Sequence, residues 1–417
     1  MALLMTGQPA FQSGLGTPSR RVAEAPLNRY STAGSLQPVQ QVTAVIDRAR
    51  ALAAPQAKLL GQPRHVGHAM TFRLDALSRG ATLQDVQRMG QYAKDRLNAS
   101  YVRLTQRLDG STVMELPVAQ SRDIFLDGNR AVLSGAKVML GPLFTEQGSA
   151  VLDLDQPASH HVLMVASLTE KTMLLRALWY QLVRQNRPSA LRFIVIDPAT
   201  TLPASIHHSA HLLCAPIQAS ANNDVGSNVV VAGEDGIASR TNTSHPDLLQ
   251  FEIRQALQTV ASEIHRRQTS LNPDPAQPRL VVIITELADL LKRKSLQGLL
   301  RYVIEQGRGV KVHVVAGTTD VSAQTLQHSL VQQHFKARLV GQMPNSAQSE
   351  LACDGPGFFC EWALGNGDIT YTLTHHRFQC GIVSDGELRF LPRAIGLPDI
   401  WQLSSGAGAA FNPARTV

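Results

Sequence analysis

Five consecutive apolar residues, Leu280 to Ile284, followed by Thr285 and Glu286, constrain this chain more than any other stretch. The run is too short for an amphipathic helix and rich in β-branched side chains, so it predicts a strand buried on both faces of a parallel sheet. A carboxylate just past the end of such a strand faces the crevice where open α/β sheets bind their ligands. Glu286 is therefore the first candidate for chemistry.

The pattern around this strand repeats the same logic. Strands are predicted at His161 to Val165, Phe193 to Ile196, Leu280 to Ile284 and Lys311 to Ala316. Helices are predicted at Thr172 to Gln185, Leu248 to Arg267 and Leu296 to Gln306. Alternation of this kind specifies a doubly wound sheet. Between Ala219 and Pro246 the chain is polar and rich in Gly, Asn and Ser, which predicts a long loop with one strand at Val229 to Ala232. Upstream, Met70 to Leu74 alternates apolar and polar residues, and Thr82 with Asp85 caps a helix carrying Val86, Met89, Ala93 and Leu97 on one face. Tyr101 to Leu104 and Thr112 to Leu116 then form a strand pair turned at Asp109-Gly110.

Several motifs, in order along the chain, carry a resemblance. Thr285-Glu-Leu-Ala-Asp-Leu290 is similar to the Asp-Glu-Leu-Ala-Asp-Leu signature of the FtsK/SpoIIIE family of double-stranded DNA translocases. Leu191-Arg-Phe-Ile-Val-Ile-Asp197-Pro198 resembles the family's Arg-Phe-Ile-Met-Ile-Asp-Pro strand. His211-Leu-Leu213, Ala261-Ser-Glu263-Ile-His-Arg266-Arg267 and Gly307-Arg308-Gly-Val-Lys-Val-His313 match further family segments, with the likeness running from about Gly61 to Leu391. The resemblance implies an α/β fold, a RecA-like P-loop NTPase-type parallel sheet behind a small N-terminal α+β domain. The expected organisation is a flexible leader over 1–38, a linker helix over 39–60, the small domain over 61–150, the motor-type domain over 151–395 and a flexible tail over 396–417.

The same resemblance locates what has changed. A phosphate-binding loop needs glycines, whose left-handed backbone angles turn successive N–H groups inward. Between Ala166 and Lys171 the chain has Ser167-Leu-Thr-Glu170, four residues against six in the family and none of them glycine. Lys171 and Thr172 match the closing Lys-Ser pair and are the cofactor-binding candidates. A Glu170 carboxylate 4 Å from a phosphate would cost about 4 kcal/mol at an effective dielectric near 20. Thr285 stands where the family has the Asp that orients magnesium, and a hydroxyl brings the metal no charge. Gly317-Thr-Thr-Asp320 stands where the family has Ala-Thr-Gln-Arg. Three separated losses imply a motor fold without its ATPase, so no cofactor is expected. ATP and magnesium enter only if the altered site still binds, and Glu286 is catalytic only in that case.

Composition fits a nucleic-acid partner: the formal charge is +7 and the pI about 9.4. Lys292, Arg293 and Lys294 are the DNA-binding candidates, with Arg266, Arg267, Lys336 and Arg338 behind them. The family's subunits bind nucleotide between neighbours, which implies a homo- or hetero-oligomeric ring, a hexamer being one form. The chain as written carries no apolar run near the ~20 residues of a membrane span and no signal leader. A cytoplasmic, membrane-free protein is therefore expected, without the winged-helix module that ends many family members. Cys214, Cys353, Cys360 and Cys380 form no Cys-x-x-Cys pair, and no metal site is expected. Two other readings stay open: an active ATP-dependent translocase, and a protein-binding scaffold without DNA.

Overall fold

In the computed structural model, two sheets carry the fold. The structure describes residues 39–400 except 67–68, 77–78, 98, 100–101, 108, 118–132, 134, 145–147, 220–228, 233–237, 242–244, 271–276, 395 and 399. The predicted leader and nearly all of the predicted tail lie outside the described residues.

The first sheet belongs to an N-terminal module of α1 (Val39–Ala53), β1 (Lys58–Leu59), β2 (Arg64–Val66), β3 (Ala69–Asp75), α2 (Leu83–Leu97), β4 (Arg103–Gln106) and β5 (Thr112–Pro117). Thr82 and Asp85 form the predicted cap reciprocally: the Asp85 amide donates to Thr82 Oγ1 at 3.1 Å and the Thr82 amide to Asp85 Oδ2 at 2.9 Å. At the β4–β5 turn, Gly110 takes φ +79° and the Ser111 amide donates to Asp109 Oδ1 at 3.0 Å. Sequence reading separates α1 as a linker. In the structure Val42, Ile46 and Ala49 of α1 share a core with Met70, Phe72 and Leu74 of β3 and Val86 and Met89 of α2.

The second sheet is built from β8 (His161–Val165), β9 (Leu191–Ile196), β12 (Arg279–Ile284), β13 (Val312–Thr318), β14 (Ala337–Val340), β15 (Asp368–Tyr371) and β16 (His376–Gln379). Its seven strands run in the order β16-β15-β14-β8-β13-β12-β9. The five from β14 to β9 are parallel and the last two antiparallel. This is the parallel sheet that the alternating pattern specified and the RecA-like P-loop NTPase-type arrangement that the resemblance implied. Alternate side chains of each strand enter opposite cores. Ile194, Ile196, Val282, Ile284 and Val314 pack with α4 (His245–Thr269) and α6 (Lys294–Gly307), while Phe193, Val195, Val281 and Ile283 pack with α3 (Leu168–Gln185). Trp179 of α3 stacks on Phe193 at 4.2 Å between ring centroids.

Sequence reading misses elements of two kinds. A hairpin of β6 (Lys137–Pro142) and β7 (Ser149–Asp153) straddles the expected boundary at residue 150, and its Val138, Leu140, Ala150 and Leu152 join the α3-side core. The change of core therefore falls before Ala136. Strands β14 to β16 are four residues each and include buried Arg338, Asp368 and Arg377, so no apolar run announced them. The polar stretch after Ala219 holds β10 (Val229–Ala232) as predicted, paired antiparallel with β11 (Ala238–Thr241). The remaining helices, α5 (Leu287–Lys292), α7 (Ala323–Leu326), α8 (Ser329–His334), α9 (Ser346–Cys353) and α10 (Asp385–Arg389), are short.

The two sheets meet through buried charge. Arg103 of β4 donates to Asp368 Oδ1 at 2.6 Å and to Thr370 Oγ1 at 2.7 Å, and Arg377 holds both Asp368 and Glu115 of β5. Two cations face two carboxylates, all of them at most 1% exposed. Desolvation of such charges is offset only when every one has a partner. No helix among the described residues is long and apolar enough to cross a membrane.

Candidate functional site

Glu286 follows β12 as the residue capping α5, and its carboxylate reaches across the carboxyl end of the sheet. Lys171 Nζ donates to Glu286 Oε2 at 2.9 Å, Thr318 Oγ1 to Oε1 at 2.6 Å, and the Thr319 amide and hydroxyl to Oε2 at 3.0 Å each. Burial pushes the Glu286 carboxyl up, but the bonds from Thr318 and Lys171 and the lysine charge outweigh it, holding the group below its ordinary value. The lysine side chain is 2% exposed and that of Glu286 14%. Sequence reading brought Lys171 and Glu286 to one site without predicting that they would bond each other.

Room for this pair is made by a glycine. A Cβ on Gly317 would lie 2.5 Å from Lys171 Cδ and 3.0 Å from the Thr285 carbonyl, so the lysine stem occupies space that any other residue would take. Glu170 is seated the same way. Its Oε2 accepts from Ser167 Oγ at 2.9 Å and would lie 2.5 Å from a Cβ on Gly341. Expected against a bound phosphate, this carboxylate turns into the protein, with 2% of the residue exposed. The helix also starts earlier than predicted. Ser167 caps α3 by accepting from the Glu170 amide, so Lys171 and Thr172 lie in its first two turns, and Thr172 Oγ1 donates back to the Leu168 carbonyl at 2.8 Å. The segment from Ala166 to Thr172 is thus a capped helix start rather than a concave loop of inward N–H groups.

Asp197, at the end of β9, accepts from the Thr201 and Leu202 amides, the Thr201 and Thr285 hydroxyls and the Gln218 amide, at 2.7 to 3.0 Å. Burial opposes its charge, and these five donors overcome it and hold its carboxyl low. Thr285 is therefore engaged with Asp197. Thr318, Thr319 and Thr201 are the site residues that sequence reading missed. The signal available was hydroxyl residues at the end of a strand, as Thr318 and Thr319 are for β13, whereas Thr201 lies farther on, in the turn after β9.

A cleft of about 650 Å³ opens beside this cluster, lined by Leu168, Thr172, Arg176, Thr201, Val383 and Ser384 among others. Neither Lys171 nor Glu286 lines it. Arg176 is held by the Val383 carbonyl at 2.8 Å and by Asp385 at 2.5 Å.

The DNA candidates fall into two groups. Lys292, Arg293 and Lys294 form the junction of α5 and α6, with Lys292 and Lys294 exposed. Lys292 lies 3.6 Å from Asp320, and Arg293 donates to Gln250 at 3.4 Å. Of the secondary candidates, Arg266 and Lys336 have exposed side chains and Arg267 and Arg338 are interior. Arg338 is 1% exposed and donates to the Phe335, Leu351 and Ala352 carbonyls, while Arg267 bonds Glu263 and the Val310 and Pro278 carbonyls. Arg266 makes a two-point contact with Glu263 at 2.7 Å, and Lys336 lies 3.8 Å from Asp354. Cys353 and Cys360 touch as thiols, 3.4 Å apart and buried.

In this RecA-like P-loop NTPase-type parallel sheet the carboxylate after β12 thus meets the lysine of α3, the helix that follows β8. No protein-family model matches the chain. Curated relatives do. The DNA translocase FtsK of Helicobacter pylori is 23% identical over 287 residues, covering 66% of this chain and 32% of that protein. DNA translocase FtsK 2 of Ralstonia nicotianae is 27% identical over 240 residues, 54% of this chain and 30% of that protein. The Pseudomonas aeruginosa FtsK is 22% identical over 349 residues, 75% and 42%. Among solved structures, the conjugation coupling protein TcpA of pCW3 superposes with a TM-score of 0.47 at 12% identity, covering 83% of this chain and 96% of that one. The cytoplasmic domain of the Type VII secretion ATPase EccC of Thermomonospora curvata gives 0.49 at 19%, covering 66% and 34%. This chain is similar in sequence to FtsK-type DNA translocases and spans about a third to two fifths of their length.

Proposed function

We propose that this protein is an FtsK-like DNA-binding protein that keeps the motor fold without a working ATP site and acts as a structural or regulatory subunit of a ring on double-stranded DNA. The observation that carries the reading is the Lys171–Glu286 bond. The cation available for a phosphate and the carboxylate available for a water neutralise each other inside the protein, and neither lines the neighbouring cleft. Thr285 is bonded to Asp197 and supplies no charge for magnesium. The residues present therefore do not fit Mg-ATP, and the proposal includes no cofactor and no hydrolytic step. A small N-terminal α+β domain, a motor-type domain whose core takes in residues from Ala136 onward and a cytoplasmic location complete it.

DNA contact is assigned to Lys292, Arg293 and Lys294 through backbone phosphates, without base sequence preference. Titration calorimetry with magnesium and ATP tests the central point: no saturable heat is expected. A micromolar Kd lost in Lys171→Ala would overturn it. A mobility shift at low salt and light scattering with and without linear DNA test the partner and the ring.

One second reading has specific support. Lys171, Thr172 and Glu286 all keep the chemical character of the translocases' motifs, and the relatives named above are described as DNA translocases. An active ATP-dependent translocase would release phosphate on addition of linear DNA, and Glu286→Gln would abolish the release.

A further inference from the structure

The N-terminal module holds a second concentration of charge, away from the site above. A pocket of about 190 Å³ opens on its sheet, walled by Arg64, Thr71, Arg73, Arg107, Asp109 and Val113. The register explains the convergence. Arg64 of β2 lies opposite Thr71 of β3, and Arg73, two residues on, lies opposite Val113 of β5. Period-2 alternation therefore puts Thr71 and Arg73 on one face of the sheet, and Arg107 enters from the end of β4. On the same face, Glu115, which pairs with Thr71, is buried under Arg377 of the second sheet. The pocket thus opens on the part of that face which the second sheet leaves uncovered.

Three guanidinium groups from three elements meet one carboxylate here. Asp109 is already committed: its Oδ1 accepts from the Ser111 amide at 3.0 Å and hydroxyl at 2.5 Å, and its Oδ2 holds Arg73. Arg73 also donates from Nε to Ser111 Oγ at 3.0 Å, which fixes its plane. Among the described residues the Arg64 side chain makes no hydrogen bond, and Arg64 is exposed. The pocket is too small for a folded partner's side-chain row, and Val113 and Leu60 are its only apolar walls. The Arg73 fork fixed by Asp109 and Ser111, with Arg64 and Arg107 lining the same small polar hollow, matches the oxygens of a tetrahedral anion.

We infer that this pocket is a phosphate site of the N-terminal module, which takes the phosphodiester backbone of DNA. The inference rests on the DNA-binding reading above and adds a contact surface remote from Lys292 to Lys294.

The test is the salt dependence of binding of a linear duplex to the full chain, read by fluorescence anisotropy between 50 and 200 mM salt. Each phosphate contact removed from duplex DNA makes the log K against log salt slope shallower by about 0.9. Arg64→Gln with Arg107→Gln is expected to flatten the slope by about 1.8, with Arg64→Lys keeping the wild-type slope. Melting curves of the variants matched to wild type keep the comparison free of folding effects. Wild-type binding with an unchanged slope in the double variant would overturn the pocket and leave the DNA reading intact. No binding by wild type at low salt would overturn both. Binding of polyglutamate in place of duplex, lost in the double variant, would overturn DNA as the occupant in favour of an acidic protein segment.

Discussion

At the carboxyl end of the seven-stranded sheet Glu286 keeps its charge, whereas at the amino end of the same strands His160, His161 and His313 are kept neutral. The difference lies in what surrounds each group. Glu286 meets only donors: an ammonium, two hydroxyls and an amide. The imidazoles lie in contact, with ring centroids of His160 4.7 Å from His161 and 4.2 Å from His313. His161 accepts from the Val314 amide at 3.0 Å and therefore donates from Nε2 to the Ile304 carbonyl. Desolvation, then the neighbouring His160, lowers His161 to about 3, and desolvation lowers His160 and His313 too. Arg308 and Arg279 add positive charge nearby, with Asp155 opposing. Burial alone does not decide a charge; the available donors and acceptors do.

Acid should break this symmetry first and most. A histidine whose folded pKa lies below its unfolded value near 6.5 adds stability that is complete above 6.5 and lost as pH falls towards the folded value. Denaturant melts are therefore expected to lose about 1.4 kcal/mol per pH unit for each such imidazole below pH 6.5. The lowered Glu286 carboxyl contributes stability above about 4.5 that is lost only as pH falls through its folded value, so the amino end should begin to fail first, near pH 6.5, and the carboxyl end only below about 4.5. His313→Leu should make the upper loss shallower by about one proton, and an unchanged pH profile would refute the account of the amino end.

At the carboxyl end, Glu286→Leu leaves Lys171 charged and unpaired in the interior, and a loss of about 3 kcal/mol in urea melts is expected. Lys171→Met is expected to cost less, about 2 kcal/mol, because Glu286 retains the Thr318 and Thr319 donors and some solvent. A larger loss for Lys171→Met than for Glu286→Leu would reverse the assignment of which charge depends on the other. Smallest of all, Thr285→Ala removes one of five donors to Asp197 and should cost about 1 kcal/mol. Thr285→Asp should cost more, by setting two carboxylates together.

Four of the five parallel strands, β8, β9, β12 and β13, were legible because their side chains face apolar cores on both sides, which forces runs such as Leu280 to Ile284. Strands β14 to β16 were not, because they bury polar residues whose partners come from other elements: Asp368 is held by Arg103, 265 residues away, and Arg338 by carbonyls of α9. Glu286, Lys171 and Thr172 could be placed near one another from motif order. The direction of the Glu170 side chain could not, since it depends on the space beside Gly341, some 170 residues away in sequence.

By itself the sequence determined the alternation of strands and helices, the missing glycines before Lys171 and the loss of an acidic partner at Thr285, all of them local matters of residue type and spacing. Only the tertiary structure decided that Lys171 closes on Glu286, that Thr285 serves Asp197 and that Arg338 and Arg267 are interior. Those outcomes depend on which donors and acceptors the sheet order brings within 3 Å. A charged side chain in a desolvated interior takes whichever partner lies within that reach.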